Sequence, residues 1–251
     1  MTTTTRTTAS KNAQRVPMSP LRKTALLVGI LFVITYITSI PAKFALYPPL
    51  LDDPAYIVGD GPDTLALWGA FFEVILIIAN IGTAVALFPV LRRQFPGLAL
   101  GFVTARVMES VFIAVGILSI LTIVTLRQDF VGSGGTDSAA LVTVGHAFVT
   151  LQEWTFQLGP AFVVGVGNGM ILGYLLYRTH LVPRGMAVLG LIGGPLLCIS
   201  GAAVILGFID GGSTVQTVAS IPEFFWELSL GLYLIVKGFK PSPLTAGIVD
   251  R

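Results

Sequence analysis

The stretch LALGFVTARVMESVFIAVGILSILTIVTL, residues Leu98–Leu126, decides the fold class of this protein. Apart from Arg106 and Glu109, it carries no charged side chain. A helix crosses the hydrocarbon core of a bilayer with about 20 mostly apolar residues. This stretch therefore predicts a transmembrane helix that is long enough to tilt.

The whole chain has the same apolar character. Of its 251 residues, 54% are hydrophobic and 11% are charged, whereas a soluble domain carries about 25% charged residues. A soluble fold of this length would expose too much surface for so few charges, but a bilayer lets apolar side chains face lipid. The single cysteine, Cys198, excludes an internal disulfide framework and a cysteine-based zinc site.

Five further apolar stretches predict additional spans, the first of which is ended or kinked by Pro41. Their approximate ranges are Thr24–Ile40, Thr64–Leu91, Gln157–Tyr177, Gly185–Phe208 and Ile221–Val236. Ser138–Phe156 is also apolar, but counting it as a seventh span would break the alternation of charge between the two sides. We interpret it as an amphipathic helix on the outer surface. The expected fold class is all-α, a polytopic helical membrane bundle of about six transmembrane helices plus this outer helix.

Basic residues are distributed unevenly between the two sides of these spans. Twelve of the 15 Lys and Arg residues fall on one side, only Lys43 and Arg127 fall on the other, and Arg106 lies inside a span. The opposite loops hold Asp52, Asp53, Asp60, Asp63, Asp129, Asp137 and Asp210. Because cytoplasmic loops of membrane proteins are enriched in Lys and Arg, both termini are predicted to be cytoplasmic.

Composition divides the chain into three parts. Residues 1–20 are polar and rich in threonine, and they lack the apolar content that would offset the entropy of ordering. We expect a disordered cytoplasmic tail there, a six-span membrane domain over residues 21–240, and a short cytoplasmic tail over residues 241–251. The lipid bilayer is the expected partner, and nothing in the sequence indicates nucleic-acid binding.

Several polar residues lie inside the predicted spans, where burial is costly. Four of them, on four different spans, lie at about the same depth, roughly 15 Å from the basic side at about 1.5 Å per residue. These four are Asn80, Arg106, Asn168 and Glu227. Glu109 lies one turn further along the face of Arg106, and Glu73 shares a helix face with Asn80. The candidate polar layer consists of Glu73, Asn80, Arg106, Glu109, Asn168 and Glu227.

Two interpretations of this layer remain open. In the structural one, Arg106 is neutralised by Glu109 or Glu227, and the asparagines link helices. In the functional one, the layer is a polar cavity that admits an ion, a proton or a small solute. Glu73, Glu109 and Glu227 face one buried cation, so at least one carboxyl group is expected to be protonated or to bind a further cation. Arg106 lies too deep to reach the surface and therefore requires a nearby carboxylate.

Glycines and prolines suggest how the helices pack and begin. Gly165, Gly169 and Gly173 are spaced four residues apart, which builds a smooth ridge where another helix can approach closely. The segment Ser220-Ile221-Pro222-Glu223 resembles a capping box at the start of the sixth span. On that interpretation Glu223 caps a helix and takes no part in the polar layer.

Signatures of catalysis are missing. The two histidines, His146 and His180, fall on opposite sides of the membrane in this topology, and no nucleophile elbow or phosphate-binding loop occurs. We predict no catalytic residue, no metal and no cofactor. Three classes of function stay open: binding or transport of a small solute or ion, a structural or sensory component that acts through a partner, and, with least support, an intramembrane enzyme.

Several segments resemble those of a known bacterial membrane-protein family. They are Leu21–Ala25, Gly69–Glu73, Leu87–Leu91, Glu153–Pro160, Tyr177–Arg184 and Leu234–Phe239. The chain resembles the family named domain of unknown function four-three-eight-six over roughly Leu21–Ser242. A His-Asp pair often precedes the Trp-Thr-Phe motif in that family, whereas Gln152 and Glu153 stand there in this chain. The resemblance implies a protein of the bacterial inner membrane without an established activity.

Overall fold

The computed structural model describes residues 18–59, 63–133, 138–242 and 244, with the backbone alone for residues 132 and 133. The predicted N-terminal tail, except for its last residues, and most of the predicted C-terminal tail lie outside the described residues. The disorder expected of the N-terminal tail and the cytoplasmic position expected of both tails therefore stay predictions.

Helices make up nearly all of the described chain, and no strand occurs in it. In chain order the α-helices are α1 Pro20–Pro41, α2 Pro48–Leu51, α3 Asp63–Leu91, α4 Pro96–Ser133, α5 Ser138–Leu158, α6 Gly173–Thr179, α7 Arg184–Ile205 and α8 Thr214–Val236. A π-helical turn, Ala42–Leu46, extends α1, and two π-helical segments, Gly159–Val163 and Gly165–Leu172, join α5 to α6. A short 3₁₀ turn covers Tyr56–Val58.

Six helical stretches are long and apolar enough to cross a membrane, which confirms the predicted all-α membrane bundle. They are Pro20–Leu46, Asp63–Leu91, Pro96–Val131, Ser138–Thr179, Arg184–Ile205 and Thr214–Val236. The six stretches form a closed ring in which α1 contacts α3, α3 contacts α4, and α4 contacts the fourth stretch. The fourth stretch, Ser138–Thr179, is called span four from here on; it contacts α7, α7 contacts α8, and α8 returns to α1. Each span therefore packs mainly against two neighbours, and span four also contacts α8 across the ring.

Three helix boundaries differ from the sequence-based prediction. The first helix continues through Pro41 as a π-helical turn. The predicted outer helix is helical, but it runs without a break into span four. At Gly159 and Pro160 that helix widens into π turns instead of ending. Proline removes one backbone donor and distorts the helix, but contacts with neighbouring helices keep the chain helical.

The sixth span begins earlier than predicted, and the capping-box interpretation is wrong. Ser213 is the N-cap of α8, and Pro222 lies inside the helix. The Ser220 hydroxyl donates to the Thr217 carbonyl 2.7 Å away, within its own helix. Proline is tolerated in the middle of a transmembrane helix because neighbouring helices and local adjustments satisfy the freed backbone groups. Glu223 is therefore carried into the bundle.

At each end of the bundle, an arginine side chain links neighbouring segments of the chain. At the end where α1 begins, called the basic end here, Arg22 donates to the Leu234 carbonyl at 2.7 Å and also to the Ile235 carbonyl. This cation satisfies free carbonyls at the C-terminus of α8. At the opposite end Arg127 pairs with Asp63 and donates to the Gly59 carbonyl at 2.7 Å.

Tyr56 joins the contacts at the opposite end. Its hydroxyl donates to Asp63 at 3.0 Å, and the Arg127 guanidinium lies 5.0 Å from its ring centre. Burial and the hydrogen bond to the Asp63 carboxylate raise the pKa of Tyr56 to about 12. The tyrosine therefore stays a neutral donor throughout the physiological range.

Glycines bring span four and α7 into backbone contact. A Cβ atom built at Gly169 would lie 2.3 Å from the Cα of Gly194, and one built at Gly165 would lie 2.6 Å from the Gly194 carbonyl oxygen. Gly173 likewise faces the backbone of α7, at Leu191 and Gly190. The three glycines of the predicted ridge thus lie along the α7 interface, and a side chain at Gly165 or Gly169 would push the two helices apart.

Gly194→Ala is expected to destabilise the bundle by about 1–3 kcal/mol, the usual cost of overpacking. A Cβ atom there would lie 2.5 Å from the Gly165 carbonyl oxygen and 2.7 Å from the Met170 nitrogen, both of which are backbone atoms. Gly185→Ala, in the first turn of the same helix, is the matched control because nothing lies within 4 Å of its added Cβ. Thermal unfolding in detergent measures both, and equal melting temperatures would contradict the close crossing.

Candidate functional site

A buried ion pair lies inside the ring on α4. Arg106 and Glu109 are 2% and 5% exposed, and the Nη1 atom of Arg106 donates to Oε2 of Glu109 at 2.7 Å. The two residues are three apart, so both side chains leave the same face of the helix. The guanidinium therefore obtains its counter-charge from its own helix, and the described residues contain no ion pair between Arg106 and Glu227.

Helix α3 surrounds this pair with further hydrogen bonds. The Asn80 amide donates to Oε1 of Glu109 at 2.9 Å, and Nε of Arg106 donates to the Thr83 hydroxyl at 3.4 Å. The guanidinium also lies 5.6 Å from the ring centre of Phe32 on α1. We call Asn80, Thr83, Arg106 and Glu109 the balanced group, because its one positive and one negative charge cancel.

A second group of polar residues joins span four to α8. The Asn168 amide nitrogen donates to Oε1 of Glu227, and the Trp226 indole nitrogen donates to the Asn168 carbonyl at 3.1 Å. Asn168 lies in the π-helical segment Gly165–Leu172 and is fully buried. Glu227 thus binds the side chain of Asn168, and the adjacent Trp226 binds its backbone.

Glu223, which the sequence analysis assigned to a helix cap, lies inside the bundle. It lies one turn before Glu227 on the same face of α8 and is 3% exposed. A Cβ atom built at either Gly169 or Gly193 would lie 2.7 Å from its Oε2 atom. The carboxyl group is therefore seated where span four and α7 cross. Its four-residue spacing from Glu227 was the available signal, and the adjacent Pro222 obscured it. We call Asn168, Glu223 and Glu227 the acidic group.

The balanced group and the acidic group form one electrostatic cluster, called the central cluster here. Arg106 and Glu109 interact electrostatically with both Glu223 and Glu227. The structure thus brings together five of the six residues of the predicted polar layer, and it adds Thr83 and Glu223. The five are Asn80, Arg106, Glu109, Asn168 and Glu227.

Glu73 is separate from the central cluster. Its carboxylate accepts a hydrogen bond from the Tyr47 hydroxyl at 2.7 Å. It does share a helix face with Asn80, but it lies two turns closer to the opposite end, where the chain after α1 packs against α3. Burial and the Glu73 carboxylate raise the pKa of Tyr47. Glu73 therefore belongs to a separate contact with the Ala42–Leu51 segment.

Most buried side-chain atoms without a hydrogen-bond partner lie in the central cluster. Among the described residues five such atoms occur, and four of them belong to this cluster: Arg106 Nη2, Asn168 Oδ1 and both carboxylate oxygens of Glu223. The fifth is Oε1 of Gln152. Buried polar groups in proteins are normally paired, so their concentration here singles out this part of the bundle. Within the described chain, no three His, Cys, Asp or Glu residues are grouped as a metal site would require.

Glu109→Leu is expected to reduce stability more than Arg106→Leu. Removing Glu109 leaves a buried guanidinium that cannot lose its proton, and breaking a buried ion pair costs about 3–5 kcal/mol. Removing Arg106 leaves a carboxyl group that can take up a proton and keep its contact with Asn80. The fraction of each variant that remains monodisperse after detergent extraction measures the difference.

The double variant Arg106→Leu/Glu109→Leu provides the control. It removes both charges, so it is expected to recover much of the stability that Glu109→Leu loses. If Glu109→Leu alone is as stable as the wild type, the ion pair does not hold the bundle together.

Comparison with known proteins yields one match. Neither the curated proteins nor the solved structures contain a match to this chain. The sequence pattern of the family described as Domain of unknown function (DUF4386) matches residues 27–238, and this integral membrane protein therefore belongs to that family.

Proposed function

We propose that this protein binds a small solute or ion at the central cluster and takes part in its passage across the membrane. The observation that carries this proposal is the set of four unpartnered polar atoms on Arg106, Asn168 and Glu223. Each such atom costs about 1–3 kcal/mol when it stays unpaired in the interior. A bound polar ligand would supply the missing partners.

A purely structural network would be arranged differently. The balanced group comes close to such a network, because Asn80, Thr83 and Glu109 all share hydrogen bonds with one another or with Arg106, and among its buried side-chain atoms only Nη2 of Arg106 has no partner. The acidic group keeps only one side-chain bond between its own members, from Asn168 to Glu227. Ionisable groups within a span that face the interior commonly mark solute or ion pathways.

The π-helical segment supports the same proposal. Gly165–Leu172 adopts wide turns over eight residues, although π-helix usually occurs as single turns, frequently at functional sites. These turns place Asn168 opposite α8. A helix with irregular hydrogen bonding at mid-membrane is tolerated where it is buried in protein or lines a cavity, and it can change shape at a smaller cost than a regular helix.

We further propose that the protein lies in the cytoplasmic membrane of a bacterium with both termini in the cytoplasm. The basic end carries Arg22, Lys23, Arg92, Arg93, Arg178, Arg184 and Lys237. At the opposite end, Arg127 is already paired with Asp63. The excess of positive charge at one end supports a cytoplasmic position for that end.

Reporter fusions test this orientation. Fusions after Gln94 and His180 are expected to read as cytoplasmic, and fusions after Asp53 and Gly211 as external. An enzyme pair that is active on only one side of the membrane supplies the measurement, with the same fusion sites for both reporters. An external reading at either basic loop would overturn the orientation.

Thiol labelling tests whether the central cluster can be reached from water. In a background of Cys198→Ser, we expect Thr83→Cys to react with a small, charged methanethiosulfonate reagent in membranes. Thr83 contacts Arg106 and is fully buried in the bundle, so labelling requires the interior to open. Val111→Cys, which is 50% exposed on the outer face of α4, is the matched control and should stay unlabelled because its surroundings are lipid.

The outcome separates solute passage from a purely structural layer. Labelling of Thr83→Cys without labelling of Val111→Cys supports a water-accessible interior. If Thr83→Cys reacts only after denaturation, the interior stays closed and the proposed function is wrong.

A further inference from the structure

We infer that the acidic group is the binding site for a single monovalent cation, held between Glu223, Glu227 and the side-chain oxygen of Asn168. This inference rests on the proposed function and names the ligand class and the residues that hold the ligand.

The unpartnered atoms in the acidic group are all acceptors. They are Oδ1 of Asn168 and the two carboxylate oxygens of Glu223. The side-chain amide nitrogen of Asn168, which is a donor, already donates to Glu227. Oxygen acceptors without donors are the ligand set that hard cations such as alkali metal ions prefer.

The charges also call for one additional cation. Arg106 is paired with Glu109 at 2.7 Å, so the two carboxyl groups of the acidic group, Glu223 and Glu227, have no cationic partner of their own among the described residues. One monovalent cation between them, with a proton on one of the two carboxyl groups, would balance both.

The packing beside Glu223 is too close for a large solute. Its Oε2 atom lies within 2.7 Å of where a Cβ atom at Gly169 or Gly193 would be. The backbones of span four and α7 therefore close around the carboxyl group. A cation at this point would join three elements, because Glu223 and Glu227 belong to α8, Asn168 to span four, and Gly193 to α7.

Thermal unfolding of the purified full-length protein in detergent tests the inference. At pH 7.5 and constant ionic strength, NaCl or KCl replaces choline chloride in a concentration series. Because a ligand that binds only the folded state stabilises it by RT ln(1 + L/Kd) at ligand concentration L, we expect the melting temperature to rise by several degrees and, above Kd, to keep rising with the logarithm of the salt concentration. MgCl₂ serves as a divalent comparison and is expected to have the smaller effect at equal concentration.

Three variants locate the effect. Glu223→Gln and Glu227→Gln are each expected to lose the salt-dependent rise. Glu223→Gln is also expected to be more stable than the wild type in choline chloride, since the amide removes the uncompensated charge at almost the same shape. Glu73→Gln is the matched control, because this carboxyl group lies apart from the central cluster, and it should keep the wild-type response.

Each other outcome overturns the inference in a different way. If no alkali salt changes the melting temperature, or if all three variants respond as the wild type does, the acidic group is not a cation site. If acidification in choline chloride gives the full rise and salt adds nothing, protons occupy the site instead. If Thr83→Cys is labelled but no salt effect is found, the proposed function stands and the cation site is rejected. If Thr83→Cys is not labelled and no salt effect is found, both proposals are rejected.

Discussion

An arginine in the middle of a membrane cannot discard its charge, and the bundle is arranged around that constraint. Arg106 takes its counter-charge from Glu109 one turn away, and Glu109 in turn accepts from Asn80 on α3. These contacts fix the facing sides of α3 and α4 relative to each other. Phe32 adds an aromatic ring from α1 on the guanidinium, so three of the six spans are positioned by one side chain.

Glycines shape the other half of the interior. The backbone contact between Gly169 and Gly194 brings span four and α7 close together, while the π turns next to it place Asn168 against α8. The same crossing encloses the Glu223 carboxyl group. Helix packing and the acidic group are therefore not separable features, because the residues that allow close packing also define the space beside the carboxylate.

Much of this arrangement follows from the sequence, and the failures have identifiable causes. Apolar length and the distribution of charge predict six spans, since a bilayer imposes both requirements on any chain. Depth along each span brought Asn80, Arg106, Asn168 and Glu227 to one level, but depth does not specify which side chains bond to one another. Helix-face periodicity misplaced Glu73, because a shared face says nothing about distance along the helix.

The largest omission was Glu223, and its cause was local. Pro222 follows Ser220 in a pattern that normally starts a helix, whereas in this bundle the helix begins at Thr214 and passes through the proline. Local sequence rules derive mainly from soluble helices, whose ends face water. Inside a membrane, tertiary contacts satisfy the backbone groups that proline leaves free, so such a pattern loses its meaning as a boundary.

The two groups of the central cluster lie on different parts of the ring, and this separation has a mechanical consequence. The balanced group connects α3 and α4, while the acidic group connects α8 and span four. The ring closes between these halves where α1 meets α3 and α8, and where α4 meets span four. Arg106 acts on the acidic group only through its field, without a direct ion pair to Glu227 among the described residues. A change of charge in the acidic group would therefore alter the attraction between the two halves without breaking a bond within the balanced group.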